Sequence, residues 1–419
     1  MATPNFDVIV IGAGAAGLSC MRELIRAGVR ALCVEAHGRI GGRIHTLHDA
    51  PIPIELGAEF VHGRPREIFD LAAAARLEIV GHGGRMVQVI GGHVVEDEEG
   101  GPVMEDVKRL GSPEHDRTLR QFLAESNYSD EEKREAIAFA EGFNAARADE
   151  LSVASLAKDM RAADEIDGNR AFHIREGYDA LAGALLAGEV RMDSVVDRVV
   201  WRPGDCRVML TTGEEFGAGQ VVVTVPLGVL EAGAIYFDPE PTEILAAVRA
   251  LRFGQAYRVT FLFERAFWED DPAFANLGFL ISDEPVFPVW WSRLPSREPV
   301  LTGWSAGPKA DSLLKLTDRE VVERALHALE GILGRTPPPV LHAWFHDWAQ
   351  DPFARGAYSW VPAGALPVRE TLARPVADTL YFAGEHTDLL GYGGTVHGAI
   401  ASGIRAAEQV IGYLRNGRR

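Results

Sequence analysis

The stretch Phe6-Asp7-Val8-Ile9-Val10-Ile11-Gly12-Ala13-Gly14-Ala15-Ala16-Gly17 decides the fold. Its β-branched start reads as a strand buried on both faces, and a helix pattern opening at Ala15 runs to Ala27. In this arrangement Gly12 makes the tight turn, Gly14 admits a pyrophosphate against bare backbone, and Gly17 lets helix and strand pack closely. The unpaired N–H groups of the helix start face the anion. A second strand, Arg30 to Glu35, ends in an acid about 20 residues after the glycines, where a carboxylate takes the ribose hydroxyls of an adenosine. Glycine triplets alone are weak evidence, but strand, glycines, helix, strand and acid here occur in the required order.

After Glu35 comes a second glycine loop, His37-Gly38-Arg39-Ile40-Gly41-Gly42-Arg43. A nicotinamide dehydrogenase has no evident use for it. A tightly held FAD does, because the loop can close over the diphosphate and Arg43 can pair with it. The competing reading of Arg43 is a solvated loop charge.

A chain of 419 residues exceeds what one core usually holds, so two domains are expected. The hydrophobic share of 47% and charged share of 24% are ordinary for a globular protein. A net charge of −18 argues against nucleic acid or an anionic membrane as partner and suits cationic small molecules. Cys20, Cys33 and Cys206 have neither disulfide nor zinc-ligand spacing. Met1 to Asn5 does not begin a signal peptide, and Pro226 and Glu231 interrupt the most apolar stretch, so a cytoplasmic location with no membrane partner is expected.

Further along, Glu55-Leu56-Gly57-Ala58 is a small-residue turn whose Gly57 and Ala58 would let a flat ring approach the backbone. Val87 to Val95 reads as a hairpin around Gly91-Gly92, followed by acids through Glu99. From Pro113 to Ala163 the pattern is helical, with Ser129 and Glu132 as a capping box, and it reads as a wall without chemistry of its own. Val190 to Val199 reads as one strand, and Thr317 with Glu320 caps a helix to Leu333. Near the end, Leu380 to Thr387 is strand, turn and acid, and a glycine loop leads into a helix opening at Val396. That second helix N-terminus can face the diphosphate or the flavin pyrimidine. Glu385, behind Gly384, reads as a hydroxyl-binding acid on the ribityl chain, with a surface acid as the alternative. The expected class is α/β, with a discontinuous Rossmann-like FAD-binding domain over 1–80, 166–240 and 352–419. An α+β substrate domain, with a mixed sheet and a helical block, is expected over 81–165 and 241–351.

Taken together, these blocks resemble the flavin-dependent amine oxidase family, which includes monoamine oxidases, polyamine oxidases and flavin histone demethylases. The likeness runs through Val10 to Gly17, Gly41-Gly42-Arg43, Glu55 to Ala58, Val223 to Gly228, Phe267-Trp268, Trp348, Asp351-Pro352, Gly356 to Ser359, Phe382 to Thr387 and Thr395 to Gly398. The resemblance implies FAD, hydride loss from the carbon next to an amine nitrogen, imine hydrolysis, and reoxidation by O₂ to H₂O₂. It places Glu35 on the adenosine ribose, Arg43 near the diphosphate, Val196 at the adenine edge, Glu385 at the ribityl chain and Val396 at the flavin. Trp348 would lie along the flavin and Tyr358 over its face beside the substrate; ordinary core aromatics are the alternative for both.

Three departures from the family pattern matter. Its lysine that holds a water against flavin N5 is replaced by Arg258, which cannot act as a base near neutral pH. Slower reoxidation by O₂, or a different electron acceptor, follows, unless Arg258 is a rim charge. A second flavin-facing aromatic is replaced by Thr395, which widens the opening and points to a secondary or bulky amine, polyamines included. His62 matches a position that meets substrate in some polyamine oxidases, with a satisfied loop histidine as the alternative. The alternative activity on this fold is desaturation or isomerisation of a neutral or lipid substrate, and a flavin-holding scaffold without turnover is a third class. The oligomeric state is not legible. Finally, Ala357 precedes Tyr358 where covalently flavinylated relatives carry a cysteine, so FAD should be noncovalent. Denaturing the holoprotein should therefore release free flavin into the supernatant; flavin pelleting with the precipitated chain would contradict this.

Overall fold

The computed structural model describes residues 6–95, 102–110 and 116–416. Met1 to Asn5, the acids through Glu99 and Pro113 lie outside the described residues.

The first sheet is built around the opening strand. Parallel strands Glu189–Arg191, Ala31–Val34, Phe6–Ile11 and Glu215–Val223 lie side by side in that order. The far edge of Glu215–Val223 is shared between two neighbours. Its first half pairs antiparallel with Asp205–Leu210, and its second half pairs parallel with Leu380–Phe382. In register, Val34 and Val223 stand beside Ile11, and Phe382 stands beside Val223. Residues that follow these strand ends, Glu35, Gly12, Thr224 and Gly384, are thus delivered to one rim, where open α/β sheets place their ligands.

Asp205–Leu210 continues the sheet through Val196–Arg202 to Tyr236–Asp238. The span from Val190 to Val199 is two strands rather than the expected one. Asp193 sits at φ 51, a left-handed conformation that ends Glu189–Arg191 before Val196–Arg202 begins. Helix Thr242–Ala250, expected with the substrate domain, buries Ile244, Ala247 and Val248 in the same core as Ile9, Val223 and Phe382. Its apolar stripe matches the first sheet's outer layer, so position 240 is not a packing boundary.

The second sheet runs Val340–Phe345, Ala256–Phe263, Val300–Ala306, Val289–Trp291, Leu277–Ser282, Arg85–Ile90, His93–Val95. Gly91 and Gly92, at φ 57 and 79, make the hairpin turn between the last two. Helix Asp318–Leu333 starts at the Thr317–Glu320 capping box and lays Val321, Ala325 and Leu329 on this sheet. The Ser129–Glu132 box starts helix Asp130–Asn144, and Ser152 caps Val153–Glu165. No helix among the described residues is long and apolar enough to cross a membrane.

Helices Ala15–Arg26 and Val396–Asn416 pack against each other across Gly403. A Cβ there would run into the Ala16 carbonyl and the Ser19 hydroxyl, and Ser19 Oγ donates to the Ile400 carbonyl at 3.0 Å. Further along, Ile411 and Arg415 flank the same hollow as Glu23 and Arg26, so the helices run in the same direction. With Gly403 level with Ala16, the later helix begins seven residues earlier, about 10 Å beyond the first helix start at 1.5 Å per residue. The two N-termini therefore face one rim at different depths. Gly403→Ala would force the helices apart and should cost about 1–3 kcal/mol as overpacking, read as a lower urea midpoint; an unchanged midpoint would show that this crossing is not tight.

Candidate cofactor and substrate site

At the rim, the three glycines have separable causes. Gly12 has φ 102, and a Cβ on it would sit 2.8 Å from Thr224 Oγ1. A Cβ on Gly17 would run into the Gly12 carbonyl. At Gly14 the nearest protein atom would be 3.9 Å away, so packing does not demand glycine there. Its bare backbone opens onto the helix start at Ala15, which has no side-chain cap, leaving first-turn N–H groups for an anion. Glu35 is buried, accepting from Ala13 N–H at 2.6 Å and from His37 N–H at 2.8 Å. Those bonds leave lone pairs for hydroxyl donors. Ser194 N–H donates to the Glu35 carbonyl at 2.7 Å, which sets the strand beginning at Val196 beside this acid. The second loop lies across the first: Gly41 N–H reaches the Ala13 carbonyl at 2.9 Å, and a Cβ on Gly42 would be 3.3 Å from Gly14 Cα.

Arg43 is not a free loop charge. Its Nη1 donates to the Ala357 carbonyl at 2.5 Å and to Glu385 Oε1 at 3.1 Å, and its guanidinium lies 5.5 Å from the centre of the Phe253 ring. Glu385 is buried rather than a surface acid, and its Oε2 accepts from Ser359 Oγ at 2.7 Å and Gly394 N–H at 2.9 Å. Burial alone would raise this carboxyl, but Arg43 first, then neighbouring His386 and the Ser359 hydroxyl, bring it down to about 2. Gly57 also has a packing reason. A Cβ there would run into the Arg43 carbonyl and sit 3.0 Å from Trp348, so neighbouring backbone alone requires glycine at this turn. Ala58 N–H donates to that same carbonyl at 3.1 Å, and Trp348 Nε1 donates to the Leu56 carbonyl at 2.8 Å.

Tyr358 opens a short strand paired with Arg252–Gly254, and its ring packs on Gly394, whose Cβ would lie 3.2 Å from it. Its hydroxyl donates to the Phe143 carbonyl at 2.7 Å. Thr395, expected to open the space over the flavin, commits its hydroxyl to the helix beginning at Val396. Oγ1 donates to the Tyr392 carbonyl at 2.7 Å and accepts from Gly398 N–H at 3.0 Å. It caps the helix, and with both interactions made it has no proton to offer a substrate.

Arg258 is no rim charge, being only 7% exposed. Nη1 donates to the Gly57 carbonyl at 2.9 Å and Nη2 to Glu59, while Nε has no partner among the described residues. Arg293 donates to the other Glu59 oxygen and approaches His173 Nδ1 at 3.2 Å; His173 Nε2 then meets His82 Nδ1 at 2.9 Å. Trp291 Nε1 also donates to Glu59, at 3.0 Å. Burial would raise Glu59, but the two arginines bring it down to about 2. Sequence reasoning missed Glu59, Arg293 and Phe143. An acid inside the small-residue run Gly57-Ala58-Glu59-Phe60 was a usable signal for the first; nothing local marked the other two.

Two histidines pack on rings of the neighbouring segments, His62 on Phe143 and His397 on Tyr392 at 4.7 Å. Burial lowers His62 to about 4, and His397 to about 3 with help from His62, so both rings are neutral near pH 7. His62 packs edge-on against Phe143 at 5.4 Å.

An open glycine cradle, an uncapped helix start, an acid at the second strand end and a second helix start about 10 Å further on fit an extended dinucleotide rather than a single phosphate. The class these features define is a two-sheet flavoprotein oxidoreductase. Comparison with known proteins agrees. The family described as flavin containing amine oxidoreductase matches residues 95–411, and an NAD(P)-binding Rossmann-like domain matches 10–75. The chain belongs to the flavin containing amine oxidoreductase family, and it is an FAD-dependent enzyme. It is 29% identical to polyamine oxidase 2 of Arabidopsis thaliana, covering 97% of this chain and 88% of that one. It is 30% identical to lysine-specific histone demethylase 1 homolog 2 of Oryza sativa subsp. japonica, covering 97% of this chain but 57% of that longer protein. In fold it is similar to cyclohexylamine oxidase from Brevibacterium oxydans IH-35A, with TM-score 0.83, 22% identity and coverage of 98% and 100%. A putrescine oxidase structure with putrescine bound gives TM-score 0.82 at 20% identity, covering 97% and 99%.

Six buried or half-buried histidines set a pH limit on stability. His45, His62 and His386 are lowered to about 4 and His397 to about 3, chiefly by burial, and His82 and His173 are lowered as well. In the unfolded chain each titrates at about 6.5. Below that pH the unfolded state binds protons the folded state refuses, so stability falls from about pH 6.5 down to about pH 4. Glu55 and Asp159, raised by burial to about 7, and Glu141 and Asp347, also raised by burial, act in the opposite sense, but they are four groups against six. The urea midpoint should drop steadily across that window; a flat profile would contradict the neutral assignments.

Proposed function

We propose that this enzyme oxidises an amine at the carbon next to nitrogen, and that the imine hydrolyses to an aldehyde and a shortened amine. The substrate is a secondary amine or a polyamine. FAD, held by Glu35 and the helix starts at Ala15 and Val396, would supply the two-electron acceptor for this hydride, to be reoxidised by O₂ or another acceptor. Supporting this reading is the junction at Glu385. One carboxylate joins Arg43, Ser359 and Gly394, bringing the glycine-arginine loop, the Tyr358 segment and the start of the last helix to one place.

Groups elsewhere in the interior favour an uncharged amine. His62 and His397 are neutral, and the Arg258–Glu59–Arg293 cluster carries two positive charges against one negative. A protonated amine entering this low-dielectric space is repelled, whereas the free base, which alone has the lone pair needed to expel hydride, is not. Tyr358 is oriented by the Phe143 carbonyl and forms a flat wall beside Gly394. Glu59 keeps Arg258 in place; as a guanidinium, Arg258 can donate a hydrogen bond but cannot remove a proton.

The test is anaerobic bleaching of the flavin by amines, with peroxide measured after air is readmitted. For an amine of ordinary basicity, kcat/KM should rise about tenfold per pH unit between pH 7 and 9, following the free-base fraction. A flat profile would mean that the protonated form is bound, against this reading.

A further inference from the structure

The rings near Tyr358 form a closed girdle. Phe143 meets His62 at 5.4 Å, His62 meets Phe60 at 5.8 Å, Phe60 meets Trp291 at 5.4 Å, and Trp291 meets Trp304 at 6.3 Å. Trp304 Nε1 then donates to the Gly142 carbonyl at 3.0 Å, next to the Phe143 carbonyl that holds Tyr358. The circuit thus starts and ends on the last turn of helix Asp130–Asn144. Outside it, Phe139 stacks on Phe143 with centroids 5.6 Å apart and planes 6° from parallel. These two rings are 48% and 52% exposed, unusual for adjacent phenylalanines on one helix face. The exposed Phe139–Phe143 pair is thus continuous, ring to ring, with half-buried Phe60, His62 and Trp304 and with buried Trp291, an aromatic surface that runs from solvent to the segment holding Tyr358.

Charge on the inner side of this path points the same way. Glu59 is held between Arg258 and Arg293, and Glu385 is paired with Arg43. Glu55, buried within reach of Arg258 and Arg293, accepts from Thr46 Oγ1 at 2.6 Å and from Tyr178 N–H at 2.9 Å, so none of these three carboxyls is left without partners to receive a second ammonium group. The Arg258–Glu59–Arg293 trio carries two positive charges on one carboxylate, and burial holds the neighbouring Glu55 toward its neutral form, a setting that a linear polycation meets unfavourably.

We infer that Phe143, with Phe139 and Trp304, determines specificity, and that the substrate class is a secondary monoamine carrying an aryl group. The aryl group lies against the girdle while the amine reaches Tyr358. This rests on the amine-oxidase reading and narrows it, turning it away from linear polyamines. Stacking and edge-to-face contacts with such rings favour an aromatic substituent over an alkyl chain of equal length. Tyr358 is held by a backbone carbonyl, so removing the Phe143 ring leaves that bond in place.

The experiment compares N-methylbenzylamine, N-methylbutylamine and spermine with the FAD-loaded enzyme, wild type and Phe143→Ala, by anaerobic bleaching and steady-state turnover. The benzyl amine should have the highest kcat/KM and spermine the lowest. Phe143→Ala should raise KM for the benzyl amine about tenfold with kcat held, leave KM for the butyl amine unchanged, and Phe143→Tyr should restore it. Spermine turning over ahead of the benzyl amine, or Phe143→Ala shifting both monoamines equally or neither, overturns the inference while leaving amine oxidation standing. Failure of all three amines to bleach the flavin removes both.

Discussion

One edge of strand Glu215–Val223 is divided between two partners, and the site depends on that division. Asp205–Leu210 stops at the middle of the strand, which frees its second half for Leu380–Phe382. The last part of the chain is thereby placed two strands from the first, with Ile11, Val223 and Phe382 level at the rim. The register fixes where Gly12 and Gly384 emerge. Gly403 against Ala16 then fixes how far the final helix projects beyond the first. Neither constraint concerns chemistry, yet together they set two positive helix ends at different depths along one rim.

Electrostatically, the interior is organised by carboxylates that arginines saturate. Glu385 with Arg43 holds loop, strand and helix start together, and Glu59 with Arg258 and Arg293 closes the opposite side. Each acid stays ionised despite burial because its partners outweigh desolvation. Removing one member would strand charge in a low-dielectric interior, so these ion pairs constrain the geometry more than they add to stability. Burial likewise holds the imidazoles of His62, His82, His173, His386 and His397 below their ordinary range. An interior of this kind suits a reaction in which the substrate must lose its charge before reacting.

How much of this was legible depended on whether the cause was local. The strand–glycine–helix unit, the Gly91-Gly92 hairpin and the capping boxes at Ser129 and Thr317 follow from backbone needs of adjacent residues, and each is where its residues predict. Asp193 broke a strand because one left-handed residue outweighs an apolar pattern on both sides. Gly57 and Thr395 were legible as special but not as to why. The carbonyl that excludes a Cβ at Gly57 comes from Arg43, and the groups that occupy the Thr395 hydroxyl are main-chain atoms of Tyr392 and Gly398. Arg293 and Phe143 reach the site from 234 and 215 residues away from the groups they bind, and no periodicity encodes such a meeting.

The central claim is that both helix starts and Glu35 serve one extended ligand, so neither half of that ligand should bind well alone. Titration calorimetry of the apoprotein with FAD, FMN and ADP-ribose tests this most directly. FAD should bind tightly, while FMN, lacking the adenosine end, and ADP-ribose, lacking the flavin, should each bind at least about a hundredfold more weakly. FMN binding as tightly as FAD, or no binding of FAD, would contradict the account.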